Sequence, residues 1–343
     1  MKIVNIAEAC AGYGRKPGAW KWLQHRVDPS VEWTHLCADA CGRFLDGLAM
    51  PRLSRYWTAL KGVWQARHAD LLVSHGTEMA AAVALFQRFL GGSAVHIAWS
   101  FNLPHPERMT GLRRAYYHFA LAHVDRLVMF STLETRLYPK LLNLPAERFE
   151  MVRWTASEPE YDRTAPAPIE GDYIAAIGGE GRDYATLFEA MRRLPDLRLL
   201  VVASPASVEG LTPPENVDLR INVPIQETYL LAAHSSFMVL PLLTRETPCG
   251  HGSLVSQFAL GKATIVTDSE GMTDYIRPGE NALVCPPEDA EALAAAIRRL
   301  ADDDALRNQI AEAGRQFALN ECDETRTVEY LEQWLSPDRL VTR

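Results

Sequence analysis

Three glycine-rich turns and a set of polar strand-end residues carry the side chains of this chain whose types and spacing fit chemistry. The most informative turn is Glu246-Thr247-Pro248-Cys249-Gly250-His251-Gly252-Ser253. It follows the apolar run Val239-Leu240-Pro241-Leu242 and precedes a helical pattern from Gly252 to Leu260. Small residues at a helix start leave main-chain N–H groups free to meet an anion such as a pyrophosphate, and Ser253 adds a hydroxyl donor. A second turn is Gly178-Gly179-Glu180-Gly181-Arg182-Asp183. There Gly179 lets the backbone approach a ligand, and the Arg182 guanidinium can bind two phosphate oxygens at once. The third, Gly12-Tyr13-Gly14-Arg15, lacks the spacing of a dinucleotide fingerprint. A plain tight turn explains Gly12 and Gly14 at least as well as ligand contact does.

A different chemistry is available to His75, Ser100, Asn102 and His105, which follow apolar runs in the first half. Such groups can hold an acceptor hydroxyl or assist proton transfer, and structural hydrogen bonding is the competing reading for each. No GxSxG, HExxH or P-loop pattern occurs, which argues against a serine hydrolase, a zinc protease or a P-loop kinase. The six cysteines form no CxxC and no zinc set, so reduced thiols and no metal are expected.

The elements that must position these residues alternate down the chain. Strands are expected at Ile3 to Ala9, Trp33 to Ala38, Leu71 to His75, Ala94 to Trp99, Arg126 to Ser131 and Phe149 to Trp154. In the second half they fall at Tyr173 to Ile177, Leu197 to Ala203, Val217 to Ile221, Phe237 to Leu240, Thr264 to Thr267 and Ala282 to Val284. Helical spacing is read at Ala19 to Gln24, Leu53 to Arg67, Met79 to Leu90, Leu112 to His123 and Leu133 to Leu142. It recurs at Ala185 to Leu194, Ile225 to His234, Gly252 to Leu260, Met272 to Ile276, Glu288 to Asp302 and Cys322 to Leu335. Repeated βα units give parallel sheets with helices on both faces. A proline-rich polar stretch from Ser157 to Gly171 reads as a linker. The organisation expected is therefore an N-terminal Rossmann-like domain (1–156), a linker (157–171), a C-terminal Rossmann-like domain (172–320) and a tail (321–343) whose helix packs back on the structure.

The bulk numbers bound this further. With 343 residues, 48% hydrophobic and 23% charged, the chain is a folded protein of about two domains. Its formal charge of −8 argues against nucleic acid as a partner. Met1-Lys2-Ile3-Val4 enters a strand directly, and no run reaches the roughly 18 apolar residues of a membrane span, so a cytoplasmic protein is expected. Trp57, Trp64 and the bases around Leu53 to His68, with Arg113-Arg114-Ala115-Tyr116-Tyr117, have two readings. Core packing under a solvated basic face is the first, and peripheral contact with the inner face of a membrane the second.

The segment Gly261-Lys262-Ala263-Thr264-Ile265-Val266-Thr267-Asp268, then Gly271-Met272-Thr273-Asp274-Tyr275-Ile276, Pro278-Gly279-Glu280-Asn281-Ala282-Leu283-Val284 and Pro287-Glu288-Asp289, resembles the C-terminal signature of glycosyltransferase family 4. Ser256-Gln257-Phe258-Ala259-Leu260 aligns with that family's EAMAC, and Gly178 to Asp183 stands in for its phosphate loop. The resemblance implies an α/β protein of GT-B type, with two Rossmann-like domains whose parallel sheets face each other across a cleft. It implies a metal-independent, retaining transferase with no cofactor beyond its donor substrate, a nucleotide-diphosphate sugar. The acceptor would be a glycan, a lipid-linked glycan or a small molecule. By the same resemblance, Gly250, His251, Gly252, Ser253 and Leu254 would wrap the diphosphate or donor sugar, and Val223 would lie near the base. The family has two glutamates eight residues apart, and here those positions hold Pro248 and Ser256. Glu246 would stand in for the first through a shifted loop, and Ser256 would make at most a weaker ribose contact than a glutamate. That departure keeps a second reading open, a catalytically silent relative that binds a glycan, a nucleotide or a protein.

Overall fold

The computed structural model describes residues 1–9, 19–38, 51–103, 109–243 and 248–335. Gly12, Gly14, His105 and Glu246 lie outside the described residues. By its contacts the chain forms two compact units, Met1–Val152 with the segment from Thr325, and Arg153–Glu324. The 157–171 stretch thus goes with the second unit and the terminal helix with the first.

The first unit holds six parallel strands: β1 Lys2–Ala7, β2 Glu32–Cys37, β3 Leu71–His75, β4 Val95–Trp99, β5 Arg126–Met129 and β6 Phe149–Met151. Their order across the sheet is β2-β1-β3-β4-β5-β6. Helices α1 Pro51–Ala66, α2 Thr77–Leu90, α3 Gly111–Leu121 and α4 Thr132–Leu142 connect them. These helices bury Ala59, Val63, Met79, Ala80, Val83, Tyr117 and Tyr138 against the sheet. The terminal helix α10 Thr325–Leu335 brings Val328, Leu331 and Trp334 to a cluster with Ile3, Leu71, Val73 and Ile97. Strands covered in this way read as unbroken apolar runs, as Leu71-Leu72-Val73 does.

The second unit repeats the plan with β7 Ile174–Ile177, β8 Leu199–Ala203, β9 Val217–Ile221, β10 Met238–Leu240, β11 Thr264–Thr267 and β12 Leu283–Cys285. The order is β12-β11-β10-β7-β8-β9, again all parallel. Its helices are α5 Tyr184–Arg192, α6 Ile225–His234, α7 His251–Ala259, α8 Ala290–Asp302 and α9 Asp304–Glu321. Two six-stranded parallel sheets with βα connectivity form the Rossmann-like pair of a GT-B protein.

Three segments differ from the sequence expectation. Ala19 to Gln24 makes only a 3-10 turn at Leu23–His25, because Ala19 and Trp20 both take left-handed φ values of 49° and 62°, which an α-helix forbids. Met272 to Ile276 is likewise a short 3-10 turn, at Glu270–Met272. There the Asn281 side chain accepts from Arg277 N–H at 2.8 Å and donates to the Tyr275 carbonyl at 3.0 Å, competing with helical bonds. Helix α9 has no counterpart in the sequence expectation. Its apolar stripe Leu306, Ile310, Phe317 is broken by Gly314, where a Cβ would lie 2.7 Å from the Phe258 ring of α7. Cys249, Cys285 and Cys322 form no disulfide, but Cys37 is disulfide-bonded, so reduced thiols throughout do not hold.

Candidate functional site

In each sheet the strand order reverses direction once, and open α/β sheets bind ligands at the loops beyond the strand ends flanking that point. In the second unit the reversal lies between β7 and β10. The loops leaving these two strands are Gly178–Asp183 and the turn that reaches Gly250. They are stitched together by Leu243 N–H to the Gly181 carbonyl at 3.0 Å, Asp183 N–H to the Pro241 carbonyl at 3.1 Å, and an isolated bridge between Arg182 and Leu242.

Arg182 sits at the centre of this junction, 7% exposed. Its Nη1 donates to the Glu180 carbonyl at 2.7 Å and its Nη2 to Ser253 Oγ at 2.8 Å, with Cys249 Sγ 3.9 Å from Nη1. Its Nε is buried without a partner, and among the described residues no carboxylate pairs with it. Two glycines make room for the guanidinium. Gly178 has a φ of +154°, and a Cβ there would stand 2.3 Å from Nε. A Cβ on Gly250, at φ +92°, would meet Leu242 at 3.0 Å and Nη1 at 3.6 Å. Asp183 closes the loop by capping α5, accepting from Thr186 N–H at 3.0 Å.

Helix capping singles out the same region. Side chains cap α3, α4, α5, α8 and α9, through Thr110, Ser131, Asp183, Asp289 and Asp303. No side chain caps α2, α6 or α7, whose N-caps are Gly76, Pro224 and Gly250. These three helices begin right after His75, after Val223 and at the Pro248–Gly250 turn. In α7 the Leu254 N–H already bonds the Gly250 carbonyl at 2.8 Å. The amides of His251, Gly252 and Ser253 are therefore those with no intrahelical acceptor, and the helix dipole adds partial positive charge beside Arg182.

The other residues singled out from sequence divide. Gly179 accepts from Ser204 Oγ at 2.8 Å through its carbonyl, and Ser256 is half-buried one turn beyond Ser253 on α7. Val223 is half-buried against a cluster with Tyr173 and Leu231. The His251 ring is turned into the core, where its Nε2 lies 2.9 Å from the Gly271 carbonyl and the ring meets Tyr275 at 4.9 Å. Burial holds its pKa below the ordinary histidine value, and only its main chain faces the turn. Leu254 leaves the binding set: its side chain is fully buried and its N–H is used within the helix.

Sequence reasoning placed Gly178 and Cys249 in their turns without giving either a role of its own, and it missed Trp154. The Trp154 indole lies 3.2 Å from where a Gly252 Cβ would stand, and the backbone N–H of Trp154 donates to Tyr275 Oη at 2.7 Å. No local pattern signals that contact, which spans nearly a hundred residues.

In the first unit the reversal lies between β1 and β3, and His75 ends β3. His75 Nε2 donates to Asn5 Oδ1 at 2.8 Å, and Asn5 Nδ2 donates to His35 Nδ1 at 3.0 Å. His35 Nε2 in turn donates to Gln24 Oε1 at 3.2 Å. Asn5, itself buried, thereby holds His75 in the tautomer whose Nδ1 is a free acceptor. Burial, with a smaller contribution from His35, pushes His75 down to about 3, so it is neutral at physiological pH. Ser100 follows β4 at a left-handed φ of 57°, and Asn102 is exposed, its backbone N–H donating to Thr77 Oγ1 at 3.0 Å. The structure thus gathers a polar chain around His75 and leaves Ser100 and Asn102 on the next loop.

Below that loop, Glu134 is buried and accepts from Ser131 Oγ at 2.8 Å and Tyr138 Oη at 3.0 Å. Desolvation pushes it up to about 7. This fixes a pH dependence. His75 and His96 are lowered to about 3 and His35 to about 4, so between about pH 6.5 and 4 only the unfolded chain protonates them and stability falls as pH drops. Glu134 acts oppositely, gaining a proton in the folded state between its raised value and 4.5. Three histidines outweigh one glutamate, so stability is expected to fall on the order of 1–3 kcal/mol per pH unit below about pH 6. Urea unfolding at pH 7.5, 6 and 5 reads this, and a curve flat between pH 7.5 and 5 would contradict it.

The fold and the α7 site together define the class, a GT-B protein. Within it, residues 183–317 match the glycosyl transferases group 1 family. Among curated proteins, the lipopolysaccharide core biosynthesis glycosyltransferase LpsE of Rhizobium meliloti (strain 1021) is 28% identical over 160 residues, 45% of this chain. That match spans 46% of the relative's own length, less than half. Among solved structures, Anabaena HepE in complex with UDP superposes with a TM-score of 0.71 at 14% identity, over 98% of this chain and 99% of that one. Sucrose-phosphate synthase from Thermosynechococcus elongatus superposes with a TM-score of 0.70 at 16% identity, over 97% and 98%. At these identities both similarities establish the fold.

Proposed function

We propose that this chain is a glycosyltransferase that moves a sugar from a nucleotide-diphosphate donor to an acceptor hydroxyl, without a metal and with retention of configuration. The observation that carries this reading is Arg182, buried with no carboxylate partner among the described residues, beside the uncapped start of α7. A cation so placed calls for an anion, because burying an uncompensated charge is costly. A diphosphate supplies it. As the bond from sugar to phosphate breaks, negative charge grows on the departing diphosphate. The Arg182 guanidinium, the Ser253 hydroxyl and the amides of His251, Gly252 and Ser253 meet that charge without reorganising. The rest of the rate comes from holding the acceptor hydroxyl close to the anomeric carbon, on the face that the diphosphate leaves, as retention requires. His75, with Nδ1 free, is the residue of the first unit fitted to take a hydrogen bond from the acceptor hydroxyl. The complexes of HepE with UDP and UDP-glucose support a nucleotide-sugar donor, and LpsE supports a glycan, free or lipid-linked, as acceptor.

Pro248 and Ser256, where the family has glutamates, favour a second reading in which the site binds a nucleotide or glycan without turning it over. Thermal unfolding with UDP, GDP, ADP and TDP, followed by assay of nucleotide release from the matching sugar donors, separates the two. Stabilisation by one nucleotide with release of that nucleotide is expected. Stabilisation without release from any donor, in the presence of glycan acceptors, would establish the silent binder. No stabilisation at saturating nucleotide would overturn the donor site itself.

A further inference from the structure

Helix α1 is apolar on two faces. One buries Thr58, Ala59, Val63 and Ala66 in the first unit. The other carries Leu53, Trp57 and Trp64 at helical spacing, with Trp57 58% and Trp64 61% exposed. A helix that has already buried its core face has no folding reason to present two tryptophans to water. The stripe does not stop at α1. Arg67 stacks on Trp64 at 4.2 Å and donates to the Leu90 carbonyl at the end of α2 at 3.1 Å. Next to it Phe89 is 73% exposed. Arg88 stacks on Phe119 of α3 at 4.3 Å and donates to His123 Nε2 at 2.6 Å. The ends of three neighbouring helices thus carry exposed aromatic rings, two of them with arginines laid over them.

Its charge is as uneven as its apolarity. The whole chain has a net charge of −8, yet residues 51–142 contain eleven Lys and Arg against five Asp and Glu. Helix α1 itself has no acidic residue. Arg55 is spoken for by Glu8 and Glu78, but among the described residues Lys61, Arg67 and Arg88 make no ion pair with a carboxylate. Exposed tryptophan and phenylalanine among unpaired bases is the composition of a segment lying in a membrane interface, where rings enter the headgroup boundary and cations meet lipid phosphate. Among the described residues no helix is long and apolar enough to cross a membrane.

We propose that the outer face of α1, with the ends of α2 and α3, docks the chain on a bilayer bearing anionic lipid. Opposite charge selects the lipid, and the exposed rings Trp57, Trp64, Phe89 and Phe119 supply the insertion. The proposal is independent of nucleotide binding and stands whether or not the α7 site turns over a donor.

The test is flotation of the full chain with vesicles of phosphatidylcholine alone and of phosphatidylcholine mixed with phosphatidylglycerol, at low and high salt. The chain is expected to float with the mixed vesicles at low salt, to be largely released by high salt, and to leave phosphatidylcholine vesicles unbound. Tryptophan emission should shift to the blue only with the mixed vesicles. Trp57→Ser with Trp64→Ser, and separately Arg67→Glu with Arg88→Glu, should each cut partitioning at least ~10-fold. Far-UV circular dichroism and thermal unfolding check that each variant is folded, and either pair alone suffices if the other is not. Failure to float with anionic vesicles at low salt would overturn the proposal, as would equal binding to both vesicle types. A chain that stays in solution but self-associates, and becomes monomeric in the tryptophan variant, would assign the face to a second copy instead.

Discussion

Arg182→Ala is expected to cut donor turnover by about 10²–10³-fold, the scale for losing one preorganised donor to a developing oxyanion. The same substitution should abolish the rise in unfolding temperature that the matching nucleoside diphosphate produces. The unliganded protein is expected to behave differently. Removing a buried guanidinium that no described carboxylate neutralises relieves a cost, although two hydrogen bonds, to the Glu180 carbonyl and Ser253 Oγ, are lost with it. Those effects oppose each other, so the unfolding temperature without nucleotide should move little. Arg182→Lys keeps the charge but not the planar fork and should fall between the two. Calorimetric unfolding with and without nucleotide, beside steady-state assay, makes the distinction. A variant that melts many degrees lower on its own, yet whose folded fraction binds nucleotide normally, would make Arg182 a clasp between two loops and nothing more.

The second large effect is expected at Gly178. At φ +154° a side chain is strained by the backbone alone, and its Cβ would fall 2.3 Å from Arg182 Nε, well inside contact distance. Gly178→Ala should therefore destabilise the second unit by roughly 1–3 kcal/mol and also displace the guanidinium, weakening nucleotide binding by at least ~10-fold. The two losses have one cause, which a double-mutant cycle exposes. In Gly178→Ala with Arg182→Ala the clash disappears, leaving only the backbone strain, so urea unfolding should find the double variant more stable than the sum of the singles. Strict additivity would show that the cradle around Arg182 is not what requires glycine at that position.

Much of this molecule was legible from residue order. Runs such as Leu71-Leu72-Val73 and Ile174-Ala175-Ala176 read as buried strands because an apolar stretch of that length, bounded by Gly and polar residues, has few other uses. Helix α8 announced itself through Asp289, which caps it at 2.9 Å through the Ala292 N–H. Helix α9 did not, because the glycine that lets it approach Phe258 removed a residue from its apolar stripe. The turn at Met272 to Ile276 misled for the converse reason: its apolar spacing fits a helix, but Asn281 takes up the backbone groups that a helix would need.

Residue order alone carries the βα alternation, the doubling into two similar halves, and the glycine-rich turns that end β7 and precede α7. These depend on local periodicity and on backbone freedom, which neighbouring residues encode. Packing of the whole chain is what places β7 beside β10, so that Arg182 reaches Ser253 across 71 residues of sequence. It alone set Trp154 against Gly252, tied His75 to Asn5, and linked the ends of α1, α2 and α3 through Arg67 and Arg88. Strand order and loop meetings follow from how whole elements pack over one another, and no short window of residues carries that information.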